Sequence, residues 1–307
     1  MSETRLPLFF IMDLSLLLEY VFAGVTYGGI YAVVAIGFNI IYNTTEVINF
    51  AQGEFVMLGG MIAISLHSAV SLPLAILGAV ALTMLVGAAI EICFIRRLES
   101  PSVLRMIIIT IGVSILIREA ALHLWGDGVR ALPHFTGSEI DSISVFNARF
   151  SPQVLWVLGT CGLVVGGLTL FFRLTPVGRK MRACAANRTA ARLCGIDTRN
   201  LVTLSFAISA GIGALAGCVL SPITQSQYDM GTGLAIKGFA VAVLGGLGNS
   251  LGAVIAGMAL GLCESFSICV LPAAFKDAIS IVLLLGVLFI KPSGILASGN
   301  GGNGAGS

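Results

Sequence analysis

The chain has 307 residues, 57% of them hydrophobic and 10% charged, with a formal net charge of +2. A water-soluble domain carries about a quarter charged residues, so these proportions exclude one, and the small net charge excludes a general attraction to nucleic acid. Seven scattered cysteines, an odd number without a C-x-x-C pair, point to neither zinc nor dithiol chemistry and read as small packing residues.

The first residues carry the acids Glu3, Asp13 and Glu19 and lack a basic region ahead of a small-residue cleavage site, so no secretory signal is expected. A helix needs roughly 20 apolar residues to cross a bilayer, and runs that meet or approach this stand at 14–42, 55–70, 74–95, 106–125, 154–172, 201–220, 251–270 and 274–290. These predict an all-α, polytopic integral membrane protein of about eight transmembrane helices. The run 234–247 is too brief to cross comfortably and 14–42 is too long for one straight crossing. Such lengths point to one or more short or broken helices, tolerated at depth where protein or water covers the backbone. One transmembrane domain is expected over 1–297, followed by a low-complexity, disordered tail at 298–307.

The first break falls at 39–54, where Asn39, Asn43, Asn49, Gln52 and Glu54 interrupt an apolar run. Polar side chains at bilayer depth are costly and usually face a cavity or one another. These five are therefore candidates for a translocation pathway, against the alternative of an interfacial turn with Glu46 and Glu54 in water. Glycines recur four apart inside the spans, at Gly24/Gly28, Gly162/Gly166, Gly213/Gly217, Gly248/Gly252 and Gly257/Gly261. Without a Cβ such faces pack helix on helix or subunit on subunit, and Gly213, Gly217, Gly257 and Gly261 are named as packing residues.

Basic residues set the orientation. Arg96, Arg97 and Arg105 in one loop, and Arg179, Lys180, Arg182, Arg188, Arg192 and Arg199 in the segment 175–200, are both predicted to face the cytoplasm. The loop 126–151 then lies outside, counting back puts the N-terminus outside, and Lys291 fits a cytoplasmic C-terminus. Within 175–200, a helix of about four turns is predicted over 179–195, closed by Gly195. Its Ala183, Ala185, Ala186, Ala190 and Ala191 would admit a close partner, with Met181 and Leu193 as anchors; a helix lying on anionic lipid is the alternative.

Catalytic readings find no support. His67, His123 and His134 are far apart, no H-E-x-x-H or G-x-S-x-G is present, and no metal site is expected. The glycines at 245, 246 and 248 lack the flanking strand and G-K-[ST] of a nucleotide loop and read as a tight helix hairpin. Glu264 and Asp277, near or within apolar spans, are candidate pathway or helix-packing carboxylates.

Several stretches, in order, resemble one family. Residues 28–60, with I-N-F-A-Q-G at 48–53, are similar to the first-half signature of the inner-membrane permease subunits of ABC importers for branched-chain amino acids; 178–196, 239–261 and 291–294 resemble that family's cytoplasmic loop and C-terminal segments. The resemblance implies that Arg179, Arg182, Ala186, Asn187, Arg188, Ala190, Ala191, Arg192 and Gly195 form a coupling helix docked on an ATPase subunit. The family's loop pattern E-A-A-x-x-x-G is matched from Ala190 to Gly195, with Thr189 where the glutamate stands. It further implies two ATPase subunits that hold ATP and Mg, a second related permease and a periplasmic substrate-binding protein. This chain would bind no cofactor and hydrolyse nothing. Relatives for urea, amides or aromatic acids, and an ion-coupled secondary transporter, are the alternatives.

Overall fold

In the computed structural model the described residues are 14–98, 102–137, 141–145, 148–269, 272, 275–290 and 294. The expected tail at 298–307, Lys291 and the acids at 3, 13 and 139 lie outside them, as does the side chain of Asp277.

The described chain is mostly helical, and six of its helices are long and apolar enough to cross a membrane. The first, α1 (Leu14–Thr45), is one unbroken helix of 32 residues. From Gly28 to Ile41 it is buried on every side, as suits a helix apolar all round. After it come α2 (Gln52–His67), α3 (Leu72–Ile90) with a π-helical last turn at Glu91–Ile95, α4 (Val103–Trp125) and α5 (Gln153–Leu174). After two short helices, α6 (Pro176–Ala186) and α7 (Arg188–Leu193), come α8 (Thr198–Thr224), α9 (Met230–Gly245), α10 (Ser250–Ser267) and α11 (Lys276–Ile290). Leu104, Ile108 and Leu116 of α4 and Leu155, Leu163 and Leu170 of α5 are exposed, which gives these helices a lipid-type outer face.

The all-α expectation needs one amendment. Loop 126–151 holds an antiparallel ribbon, β1 (Ile143–Val145) against β2 (Ala148–Phe150), with Ser144 opposite Arg149. The ribbon meets the start of α1, where Arg149 N donates to Glu19 Oε1 at 3.1 Å and the Phe22 and Phe150 rings stack 4.2 Å apart. At the other end of the bundle, Arg96 Nη2 donates to Asn200 Oδ1 at 3.0 Å, so the two basic segments share one end, as predicted. We call these the hairpin end and the basic end.

The glycine pairs sort into two kinds. Gly24 and Gly28 of α1 lie backbone to backbone against Gly257 and Gly261 of α10, and Gly217 of α8 meets the Val56 carbonyl of α2. Gly162 and Gly166 have nothing within 4 Å of where a Cβ would stand. Gly213 and Gly217 of α8 thus lie against α2, and Gly257 and Gly261 of α10 against α1, all within this chain. The cysteines follow the packing expectation only in part: Cys161, Cys184 and Cys218 are buried, whereas Cys93, Cys194 and Cys263 are exposed.

Candidate functional site

The polar break near Asn39 resolves into contacts between elements. Helix α1 ends at Thr45, the chain reverses through Glu46 at φ 58°, and α2 starts at Gln52. Glu46 is exposed but Glu54 is buried, so neither of the two readings holds for the whole stretch. Asn39 accepts from Gly248 N at 3.0 Å and donates to Asn249 O at 3.1 Å, while Asn43 donates to Gly248 O at 3.2 Å. These side chains fasten the tight α9–α10 turn, whose Gly246 and Gly248 take positive φ. Gln52 Nε2 donates to Ser209 O at 3.2 Å and its Oε1 accepts from Ser209 Oγ at 2.6 Å, joining α2 to α8 in an apolar interior. Asn49 Oδ1 accepts from Ala51 N, and Glu54 Oε1 accepts from Ser114 Oγ at 3.0 Å. Glu54 Oε2 and Asn49 Nδ2 are buried without a hydrogen-bond partner among the described residues.

A larger polar opening lies elsewhere. A cavity of about 360 Å³ sits between α1, the α8–α9 connection, α9 and α11, and none of the five residues of the Asn39–Glu54 stretch lines it. Its polar lining includes Tyr27, Tyr31, Gln225, Gln227, Lys237 and Lys276. Behind the lysines Glu264, wholly buried in α10, gathers the charges. It accepts from the Tyr31 hydroxyl at 2.8 Å and from Ser280, and lies 3.1 Å from Lys237 Nζ and 3.8 Å from Lys276 Nζ. Lys276 Nζ also stands 3.8 Å from the Tyr27 ring centroid. Buried charges persist in apolar surroundings only when paired and hydrogen-bonded, and here three elements, α1, α9 and α11, supply the partners. The sequence pointed to Glu264 as an intramembrane carboxylate but gave no sign that Tyr31, Lys237 and Ser280 would meet it.

At the basic end the predicted single helix over 179–195 is two. Thr175 caps α6 by accepting from Gly178 N at 2.9 Å, with Pro176 at the first helical position. The helix stops at Asn187, which adopts φ −161° and ψ 106°, and whose Oδ1 accepts from Ala190 N at 2.9 Å to start α7. Asparagine is a strong N-cap, and that preference divides the segment. Gly195, at φ 79°, closes α7.

The segment's surface also differs from the expected one. Met181 is buried and so is no anchor for a partner, as is Ala191. Arg179, Arg182, Ala186, Asn187 and Ala190 are exposed, as is Thr189, and Leu193 is 86% exposed. Arg188 and Arg192 share one side of α7 and line a cleft of about 270 Å³ against the body of the protein, together with Arg96 and Arg199. Burial raises the Cys184 thiol above its ordinary value, and the nearby Arg188 and Arg192 charges oppose that rise.

Residues 20–288 match the model of a family described as branched-chain amino acid transport system / permease component. The chain belongs to this family. It is 33% identical over 295 residues to the high-affinity branched-chain amino acid transport system permease protein LivH of Escherichia coli (strain K12), covering 91% of this chain and 95% of that one. It is likewise 33% identical over 293 residues to BraD of Pseudomonas aeruginosa, a permease protein of the same description, with coverages of 91% and 95%. Among solved structures, PsaBC from Streptococcus pneumoniae in complex with Fab aligns over 93% of this chain and 94% of that chain at 12% identity and a TM-score of 0.47. The family permease chain described here is therefore a multi-pass membrane protein of a branched-chain amino acid transport system.

Proposed function

We propose that this permease is the pore-forming subunit of an ATP-driven importer in the bacterial inner membrane, passing branched-chain or related amino acids by alternating access. The observation that carries the reading is the cavity beside Glu264. It offers an amino acid three different surfaces: Lys237 and Lys276 toward a carboxylate, the Gln225 and Gln227 amides toward an ammonium, and Leu220 and Leu234 toward an apolar side chain. Asn39, Asn43, Asn49, Gln52 and Glu54 brace the helices that move around this pathway.

Among the described residues, nine helical passages fit the contacts better than about eight. Helices α2, α9 and α11, of 16, 16 and 15 residues, are shorter than the six long spans. Yet α9 starts beside the cavity and ends where Asn43 holds Gly248, so it returns the chain toward the basic end before α10 leaves it. An odd number of passages puts the start of α1 and the end of α11 at opposite ends of the bundle, which an outside N-terminus and a cytoplasmic C-terminus require and an even number does not give. By the positive-inside rule the basic end is cytoplasmic.

Two ATPase subunits, which bind the ATP and Mg that this chain does not, dock on the exposed face of α6 and α7 formed by Ala183, Ala186, Ala190 and Leu193. Thr189 occupies the position of the family's glutamate, and Leu193 provides an apolar anchor beside it. A second, related permease completes the pore, and a periplasmic binding protein delivers substrate at the hairpin end. ATP-driven closure of the ATPases then moves α6 and α7 and changes the side to which the cavity opens.

The test is reconstitution in liposomes with the ATPase subunits, the second permease and the binding protein, measuring uptake of labelled leucine. Uptake is expected only with hydrolysable ATP and is expected to fail in Lys237→Met. Uptake driven by an ion gradient without ATP would make the chain a secondary transporter. ATP-driven uptake of urea, an amide or an aromatic acid in place of leucine would move the substrate assignment.

A further inference from the structure

At the basic end, four guanidinium groups converge on one cleft. Arg188 and Arg192 of α7, Arg96 beyond the π-helical turn and Arg199 in the first turn of α8 line a space of about 270 Å³ that Thr45 of α1 also borders. Only one carboxylate appears among the described lining residues, Glu91, and it is already engaged. It accepts from Thr203 Oγ1 at 2.6 Å and lies 3.8 Å from Arg96 Nε. Arg192 Nε donates to Thr198 Oγ1 at 2.8 Å, and Arg188 Nε is buried with no hydrogen-bond partner among the described residues. Like charges held together repel, and a buried donor without an acceptor is costly. Both costs vanish when an anion with several acceptor oxygens enters, because each guanidinium presents a planar fork of donors that matches phosphate.

We infer that this cleft is a binding site for a phosphate-bearing anion, either an anionic phospholipid headgroup or a soluble phosphate compound. The assignment does not depend on the ATPase contact. Arg188, half-buried, and Arg192, exposed, stand four apart on α7 and both line the cleft, whereas the exposed Ala190 and Leu193 do not. An anion held there links α7 to α8 and to the end of α3, and so fixes the α6–α7 segment against the membrane domain. Anionic headgroups are concentrated at cytoplasmic surfaces and attract such basic clusters.

The test uses the full-length chain in phosphatidylcholine nanodiscs, titrated with pyrophosphate by calorimetry, beside discs that contain phosphatidylglycerol. Saturable binding at one site per chain is expected in phosphatidylcholine. Weakening of that binding by phosphatidylglycerol identifies the headgroup as the occupant, and indifference to it identifies a soluble anion. Arg188→Gln with Arg199→Gln should bind pyrophosphate about ten to a hundred times more weakly, the loss expected for charge-assisted hydrogen bonds. Arg179→Gln, on exposed α6, should not. Arg188→Lys keeps the charge and loses the fork, so it is expected to weaken binding even if the double variant fails to insert. The inference is overturned by absent or unsaturable binding, by equal weakening in Arg179→Gln, or by unchanged affinity in folded Arg188→Lys.

Discussion

Gly28 of α1 and Gly257 of α10 touch through their backbones: a Cβ on Gly28 would stand 2.7 Å from the Gly257 carbonyl oxygen. One turn along, Gly261 makes the same approach to the Gly24 carbonyl. The crossing brings Glu264 of α10 against Tyr31 of α1, so glycine packing and the charge cluster belong to one contact. Gly261→Ala is expected to lower stability by about 1–3 kcal/mol, the cost of overpacking. Gly162→Ala and Gly166→Ala, where no atom lies within 4 Å, should be neutral or stabilising by up to about 1 kcal/mol through helix propensity. Thermal unfolding of the three variants in one detergent checks this. Equal losses at all three positions would show that the α1–α10 crossing has no special demand for glycine.

Glu264 binds together α1, α9 and α11 through Tyr31, Lys237 and Ser280. Glu264→Gln removes the buried charge that the half-buried Lys237 and Lys276 face and is expected to cost about 3–5 kcal/mol. Lys237→Met combined with Glu264→Leu should cost less than the two single changes together, because neither charge of that pair is left facing an empty position, and Lys276 remains in both the single Glu264 variant and the double one. A double-mutant cycle from chemical unfolding measures the difference. Additive losses would mean that the two residues stabilise the fold separately.

How much of this was legible in the sequence depended on the range of the interaction concerned. The long spans follow from apolar length alone, and their described bounds lie close to the predicted ones. Asn39 and Asn43 announced themselves as polar groups at depth, but their partners at Gly248 and Asn249 lie more than 200 residues away, and no local pattern specifies that pairing. Lys237 was hidden in the same way, at the head of a glycine-rich run that drew attention to its turn. The break at Asn187 was readable: an N-capping residue stands within a stretch otherwise rich in helix formers. Alanine content suggested continuity, and the cap prevailed because it satisfies the first amides of α7.

Gly195 separates two explanations for the end of the α6–α7 segment. Its φ of 79° suits glycine, and nothing lies within 4 Å of a Cβ placed on it. The demand for glycine therefore comes from the backbone within this chain. Gly195→Val is expected to destabilise the closing turn by about 1–2 kcal/mol and to reduce copurification of the ATPase subunit. Gly195→Asn, which tolerates that conformation, should retain the subunit. If asparagine also released it, close approach of the partner's own backbone would be the reason for glycine here.

Cys184 reports on the packing of α6 because its thiol is buried and raised above the ordinary value of 9.0. A raised thiol favours the protonated form in the folded state. Its contribution to stability is fully present below the unfolded thiol's value and is lost as pH rises through the higher folded value. The thiolate is the form that attacks maleimide, so at neutral pH the exposed Cys194 should be labelled in the native protein while Cys184 is spared. Unfolding should make Cys184 reactive. Arg188 and Arg192 pull the Cys184 value down against burial, and replacing both with Gln removes that pull, so labelling of the folded variant should begin at a higher pH than in the parent. Residue-resolved mass spectrometry over a pH series distinguishes the outcomes. Labelling of Cys184 as fast as Cys194 at neutral pH would show that α6 leaves the body of the permease in solution, and that the α7 arginines do not stay beside it.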